Sequence, residues 1–183
     1  LKVINVLVYT DYDQDGNPDS YELNEEKEQT AWTQLQEVKA QELLEKIYAA
    51  APATGEDGLY NQLAAVVKEY SEATYDDPTW GTYKKFGLIA KAEAAADYNN
   101  TSSLVPEFLD KLSEVYKEIE QAGKTGTTFD TPFQVEGSFP TVYGYHKIAI
   151  SATKDRVYAT TDPDKTLGYE ELRDSQLALL TEN

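Results

Sequence analysis

Residues 141–150 read TVYGYHKIAI, and this stretch decides the fold. After Pro140 the run is dense in β-branched and aromatic side chains, which suit a pleated, half-buried surface, so the sequence predicts a strand over Val142–Ala152. His146, Ile148 and Ile150 alternate along it and share one face. Immediately upstream a second strand is expected over Thr131–Phe139. At the other end of the chain LKVINVLVY (Leu1–Tyr9) is apolar on both faces, the pattern of a central strand covered on both sides, with Asn5 as the residue that breaks it.

Helices fill the space between these strands. A long helical stretch is expected from about Asn24, as N-cap, to Ala50, with Ala31, Leu35, Val38, Leu44, Ile47 and Tyr48 at helical spacing; Ala-Pro-Ala-Thr-Gly at 51–55 ends it. A second runs over about Leu59–Tyr70 with Leu59, Leu63, Val66, Val67 and Tyr70 on one stripe. A third is capped by Ser102 or Ser103, carries Pro106 in its first turn and Phe108, Leu112, Val115, Tyr116 and Ile119 on its apolar side, and stops at Gly123. Residues 74–101 are the least regular, with a short Ala-rich helix expected near Ala90–Ala96. A final amphipathic helix is expected over about Tyr169–Leu180. The class is therefore α+β: a small antiparallel or mixed sheet covered by helices, with an insertion at 74–101 and a C-terminal helix. The expected division is a domain over 1–152 and a linker plus helix over 153–183.

The 183 residues are 40% hydrophobic, enough for a core at this length. A formal net charge of −17 argues against nucleic acid, whose phosphates it would repel, and against unaided binding to anionic lipid. No run approaches the roughly 18 apolar residues of a membrane helix. With no cysteine the chain has neither disulfide nor thiolate chemistry. It starts at Leu1 inside a strand-like run, which reads as a piece of a longer polypeptide whose other segments hold an export signal or lipid anchor; any membrane attachment is expected through that anchor.

DYDQDGNPDSYE (Asp11–Glu22) matches D-x-[DN]-x-[DN]-G-x₅-E at every position. Asp11, Asp13 and Asp15 would curl carboxylates around one hard cation while Gly16 allows the sharp turn. Asn17 would offer its carbonyl, Asp19 a ligand directly or through water, and Glu22 two oxygens. A strand precedes the loop, so the expectation is a structural calcium site of the strand-loop-helix kind found in extracellular repeats. The bland alternative is an acidic solvated loop.

Four segments, in order, resemble parvulin-type peptidyl-prolyl cis-trans isomerases. TVYGYHKIAI is similar to the terminal strand of that family, T-x-F-G-Y-H-I-I-K. LVPEFLDKL (Leu104–Leu112) resembles its M-V-P-E-F helix start, LAAVVKEYSE (Leu63–Glu72) its A-x-x-Y-S-E, and VINVLVYTD (Val3–Asp11) its first strand, R-H-I-L-V. GYEELRDSQLALL resembles the segment after the isomerase domain in PrsA-like surface foldases. The resemblance implies a foldase acting on Xaa-Pro bonds of exported polypeptides, outside the cytoplasm, with no catalytic cofactor. It places His146 beneath the cleft and Asn5 where the family has its first-strand histidine. Ala73 falls where the family has Cys or Asp, so the acidic member is expected at Asp77, a few residues on. Phe108, Leu104 and Phe86 would hold the proline ring, with Tyr143 beside the substrate. The family's G-G-D-L-G loop is replaced by 74–101.

Without the resemblance the same residues have plainer readings. His146 is a core histidine, Phe108 and Leu104 are helix core, Asn5 belongs to a polar network, and Asp76–Asp77 before Pro78 opens a turn. Two non-enzymatic functions stay open beside the isomerase: a chaperone module that holds Pro-containing or extended segments, and a calcium-stabilised surface interaction domain.

Overall fold

The computed structural model describes residues 1–19, 32–51, 56–98 and 104–154, together with short strands at 158–159 and 166–167. The chain divides into two compact units, Leu1–Thr153 and Lys154–Asn183. In the second, the described residues are Lys154 and a pair of antiparallel strands, β6 (Tyr158–Ala159) and β7 (Thr166–Leu167). The expected helix over 169–180 lies outside the described residues, as do Asn24, Ser102 and Ser103.

The first unit is an α+β fold. Its strands are β1 (Lys2–Tyr9), β2 (Ile89–Asp97), β3 (Thr128–Gln134), β4 (Phe139–Thr141) and β5 (Gly144–Ala152), and its helices are α1 (Gln34–Ala50), α2 (Glu56–Glu72), α3 (Gly81–Lys84) and α4 (Pro106–Gln121). All pairings in the sheet are antiparallel, in the order β2-β1-β5-β3, with β4 alongside β5 as well. The two ends of the chain's main strand pattern thus meet at the sheet centre, where β1 pairs with β5 along nearly its whole length.

Strand alternation sorts the side chains between two cores. Ile4, Val6 and Val8 of β1 and Tyr145 and Ala149 of β5 pack with Leu43, Leu44 and Ile47 of α1 and Leu59, Leu63 and Tyr70 of α2. On the opposite face Val3, Ile148 and Ile150 pack with Phe108, Leu112, Val115 and Ile119 of α4. Helices cover both faces, which is why LKVINVLVY shows no polar side. Lys147 falls on the α1 face and is buried there. Its ammonium meets Glu45 at 2.8 Å and the carbonyls of Val135 and Gly137 at 3.4 and 3.3 Å.

Several expectations change in detail. Helix α1 starts at Gln34, not near Asn24. Thr33 is its N-cap in extended conformation, with a capping box in which Thr33 Oγ1 accepts the Gln36 N–H at 3.2 Å and Gln36 Oε1 accepts the Thr33 N–H at 2.9 Å. Its buried side is Ala40, Leu43, Leu44, Ile47 and Tyr48, whereas Leu35 and Val38 stay 53% and 44% exposed. The third helix, α4, ends as expected at Gly123, whose φ of +65° lets Lys124 N–H reach the Ile119 carbonyl and Gly123 N–H the Glu120 carbonyl. The Ala-rich helix near Ala90–Ala96 is a strand instead. Alanine favours helix by itself, but β2 pairs with β1 from Tyr9↔Ile89 to Lys2↔Asp97, and tertiary pairing overrides the weak local preference. The strand expected over Thr131–Phe139 is two: β3, then β4 after a turn at Gly137.

Candidate functional site

The α4 face of the sheet is not covered along its full length. Beyond the first turn of α4 the rows from β2, β1 and β5 open into a cleft of about 350 Å³. Its apolar floor and wall are Leu7, Leu104, Val105 and Phe108; Asn5, Glu93, Lys91 and His146 line the polar side; Pro18, Tyr98 and Tyr143 form the rim. Phe108 is the central ring. It meets His146 edge-on at 5.1 Å, Phe139 at 5.4 Å and Tyr98 at 5.8 Å between centroids, and His146 stacks on Phe139 at 5.4 Å. Pro106 at the start of α4 needs no intrahelical N–H partner, which lets the helix begin there and aim Phe108 down onto the sheet.

His146 is buried among these rings. Its Nδ1 lies 3.2 Å from Asn5 Oδ1 and its Nε2 2.8 Å from Thr141 Oγ1. Asn5 Nδ2 donates to Glu93 Oε2 at 2.9 Å, and Tyr143 N–H donates to Thr141 Oγ1 at 3.2 Å. Burial pulls the imidazole down to about 4, so it is neutral near pH 7. The Tyr98 hydroxyl is raised, first by burial and then by the Glu93 charge. Lys91 pairs with Glu93 at 3.5 Å on the open side.

Of the residues expected at the site, His146, Asn5, Phe108, Leu104 and Tyr143 line this one cleft. Phe86 and Asp77 do not. Phe86 packs against the core shared by α1 and α2, and its carbonyl accepts from the Gln36 amide at 3.1 Å. Asp77 Oδ1 accepts the backbone N–H groups of Thr79 and Trp80, both at 2.7 Å, and so opens the turn into α3. The acidic member of the cleft is Glu93 instead. Period-two spacing of Lys91 and Glu93 within AKAEA was the signal for it, masked by alanine's helical preference. Thr141 stood in the quoted strand without a role; the two-residue hairpin loop between Thr141 and Gly144 folds it back onto His146.

No protein-family model, curated protein or solved structure gives a significant match to this chain. The cleft has to be read from its own chemistry.

The acidic loop lies beside it, sharing Pro18 with the rim. The carboxylates of Asp11, Asp13 and Asp15 each bring an oxygen within 4.8 Å of the others. Asp11 also accepts the N–H groups of Asp15 and Gly16 at 3.1 and 3.0 Å, and Gly16 has φ +86°. Hydrogen bonds from Asn17, at its backbone and its amide, hold the Asp15 carboxyl below its usual range. Asp19 is turned toward the Tyr12 N–H. Glu22 lies outside the described residues.

Proposed function

We propose that residues 1–153 are a parvulin-type foldase domain that speeds cis–trans exchange at Xaa-Pro bonds of exported polypeptides outside the cytoplasm. The observation that carries this reading is the cleft itself, a ring-lined apolar pocket set against a buried polar chain through Asn5 and His146. The barrier to rotation is about 20 kcal/mol, and no bond has to break. A catalyst needs only to hold the twisted amide better than either planar form. Phe108 and Leu104 would seat the proline ring and keep water away from the polar planar amide. Asn5 has two amide hydrogens. Glu93 takes one, and the other would donate to the carbonyl as the amide twists. His146, neutral, is hydrogen-bonded to Asn5 and transfers no proton.

Two-dimensional exchange spectroscopy on a Xaa-Pro peptide tests this. The chain should raise the exchange rate, Phe108→Leu and Asn5→Ala should lower it by about tenfold, roughly the worth of one well-placed donor or of lost ring packing. Tyr143→Ala, at a rim position 46% exposed, should weaken peptide binding without unfolding the domain. A peptide bound in the cleft whose exchange rate stays at the uncatalysed value would reject the enzyme in favour of a peptide-holding chaperone. That second reading is favoured by one feature, the absence of a titrating group at Asn5.

The acidic loop is proposed to bind structural calcium through Asp11, Asp13 and Asp15, relieving repulsion among the three carboxylates. Calcium should then raise the melting temperature, by the equivalent of about 2.7 kcal/mol at a hundredfold excess over Kd, and Asp13→Asn should abolish the gain. A melt indifferent to calcium in both proteins would reject the site.

A further inference from the structure

We propose that Glu93 is a positioning residue, whose carboxylate fixes the direction of every hydrogen bond from Asn5 to Thr141 and so selects the tautomer of His146. The argument is one of donors and acceptors. An ionised carboxylate only accepts, so Asn5 must turn its NH₂ to Glu93, at 2.9 Å. That leaves Asn5 Oδ1 facing His146 Nδ1 at 3.2 Å, and an amide oxygen also only accepts, so the ring proton sits on Nδ1. The neutral ring then has a bare Nε2, and the Thr141 hydroxyl must donate to it across 2.8 Å while accepting the Tyr143 N–H at 3.2 Å. Each atom in this series has one role compatible with its neighbours, and the series is anchored at Glu93.

The backbone delivers that anchor. Between Val3↔Ala96 and Asn5↔Glu93 the β1–β2 register slips, one residue of β1, Ile4, facing two of β2, Ala94 and Ala95. Without the bulge Ala94 would stand opposite Asn5, and the asparagine would have no acceptor from β2. Turning the Asn5 amide over would reverse the series. Its NH₂ would face Nδ1, the ring proton would move to Nε2, and the Thr141 hydroxyl hydrogen would be released. Holding NH₂ toward Glu93 keeps that hydroxyl committed to His146 and leaves the second Asn5 hydrogen as the donor on the cleft side. For its catalytic meaning the inference rests on the isomerase reading; for its structural content it does not.

The chain has one histidine, so its imidazole nitrogens give an unambiguous ¹⁵N spectrum. The wild type should show Nδ1 protonated and Nε2 bare at pH 7. Glu93→Lys places a donor where the acceptor was, so Asn5 should turn and the Nε2–H form should dominate, a change in tautomer ratio of roughly tenfold or more for a charge-assisted bond. Glu93→Ala, which has no charge to bury, should give a mixture, and keeps the test open if the lysine variant does not fold. A wild type with the Nε2–H form, or a folded Glu93 variant with the wild-type ratio, overturns the proposal. If the tautomer responds while Xaa-Pro exchange is never accelerated, Glu93 positions His146 and the isomerase reading is the part that fails. If exchange is accelerated and the tautomer ignores Glu93, the reverse holds.

Discussion

Gly144→Ala should cost the domain at least about 4 kcal/mol, a large part of the roughly 5–15 kcal/mol that holds a domain folded. Two causes add. Gly144 has φ +132°, outside the range a side chain accepts without strain of about 1–3 kcal/mol. Its added Cβ would also lie 2.3 Å from the Val8 carbonyl oxygen and 3.2 Å from the Tyr9 Cα, so β1 and β5 would have to part. Gly137→Ala separates the two. Gly137 has φ +70° but nothing within 4 Å of its Cβ position, so its variant should lose only about 1–2 kcal/mol. Urea unfolding of both proteins checks this; equal losses would mean that the close approach of the two strands carries no weight.

Acid should destabilise the fold through His146 by about 3 kcal/mol. The imidazole's ordinary value is 6.5 and burial lowers it to about 4 in the folded chain. Between those values the unfolded chain takes up a proton and the folded one does not. Stability linked to His146 is therefore fully present above pH 6.5 and is lost progressively as pH falls toward 4. The distance between 6.5 and about 4, at roughly 1.36 kcal/mol for each step of one in pH, sets the size at about 3 kcal/mol. Many carboxylates titrate in the same range, so the measurement is a difference. Unfolding free energies of wild type and His146→Gln at pH 7 and pH 4 should show the wild type losing about 3 kcal/mol more. A constant difference would mean that the ring is not held neutral.

The outline of the fold was legible because its core strands are written in unambiguous types. Val, Ile and Tyr in LKVINVLVY and YGYHKIAI leave no competing helical reading, and α4 announces itself through Pro106, its apolar stripe and Gly123. The parts that were not legible are those where local preference and tertiary pairing disagree. Ala90–Ala96 has the composition of a helix, and only the free edge of β1 makes it a strand. That misreading hid Glu93, while the resemblance placed the acidic member at Asp77, whose carboxylate already serves a turn. Phe86 illustrates a second limit. An aromatic beside a glycine looks the same in sequence whether it faces the cleft or the helices; here the face is decided by the turn after α3, which leaves Phe86 against the α1–α2 core.

The pairing of β1 with β5 carries a last consequence. Asn5 comes from one strand and His146 from the other, and the same two strands supply residues to both cores. The Asn5–His146 link thus has no hinge or loop of its own through which to come apart; separating the two means opening the sheet at its middle. Its opening free energy is that of the whole unit rather than of a local fluctuation. The rim is built differently: Pro18 lies on the connection after β1 and Tyr143 in the hairpin loop between β4 and β5, so a change at either leaves the paired strands beneath in place.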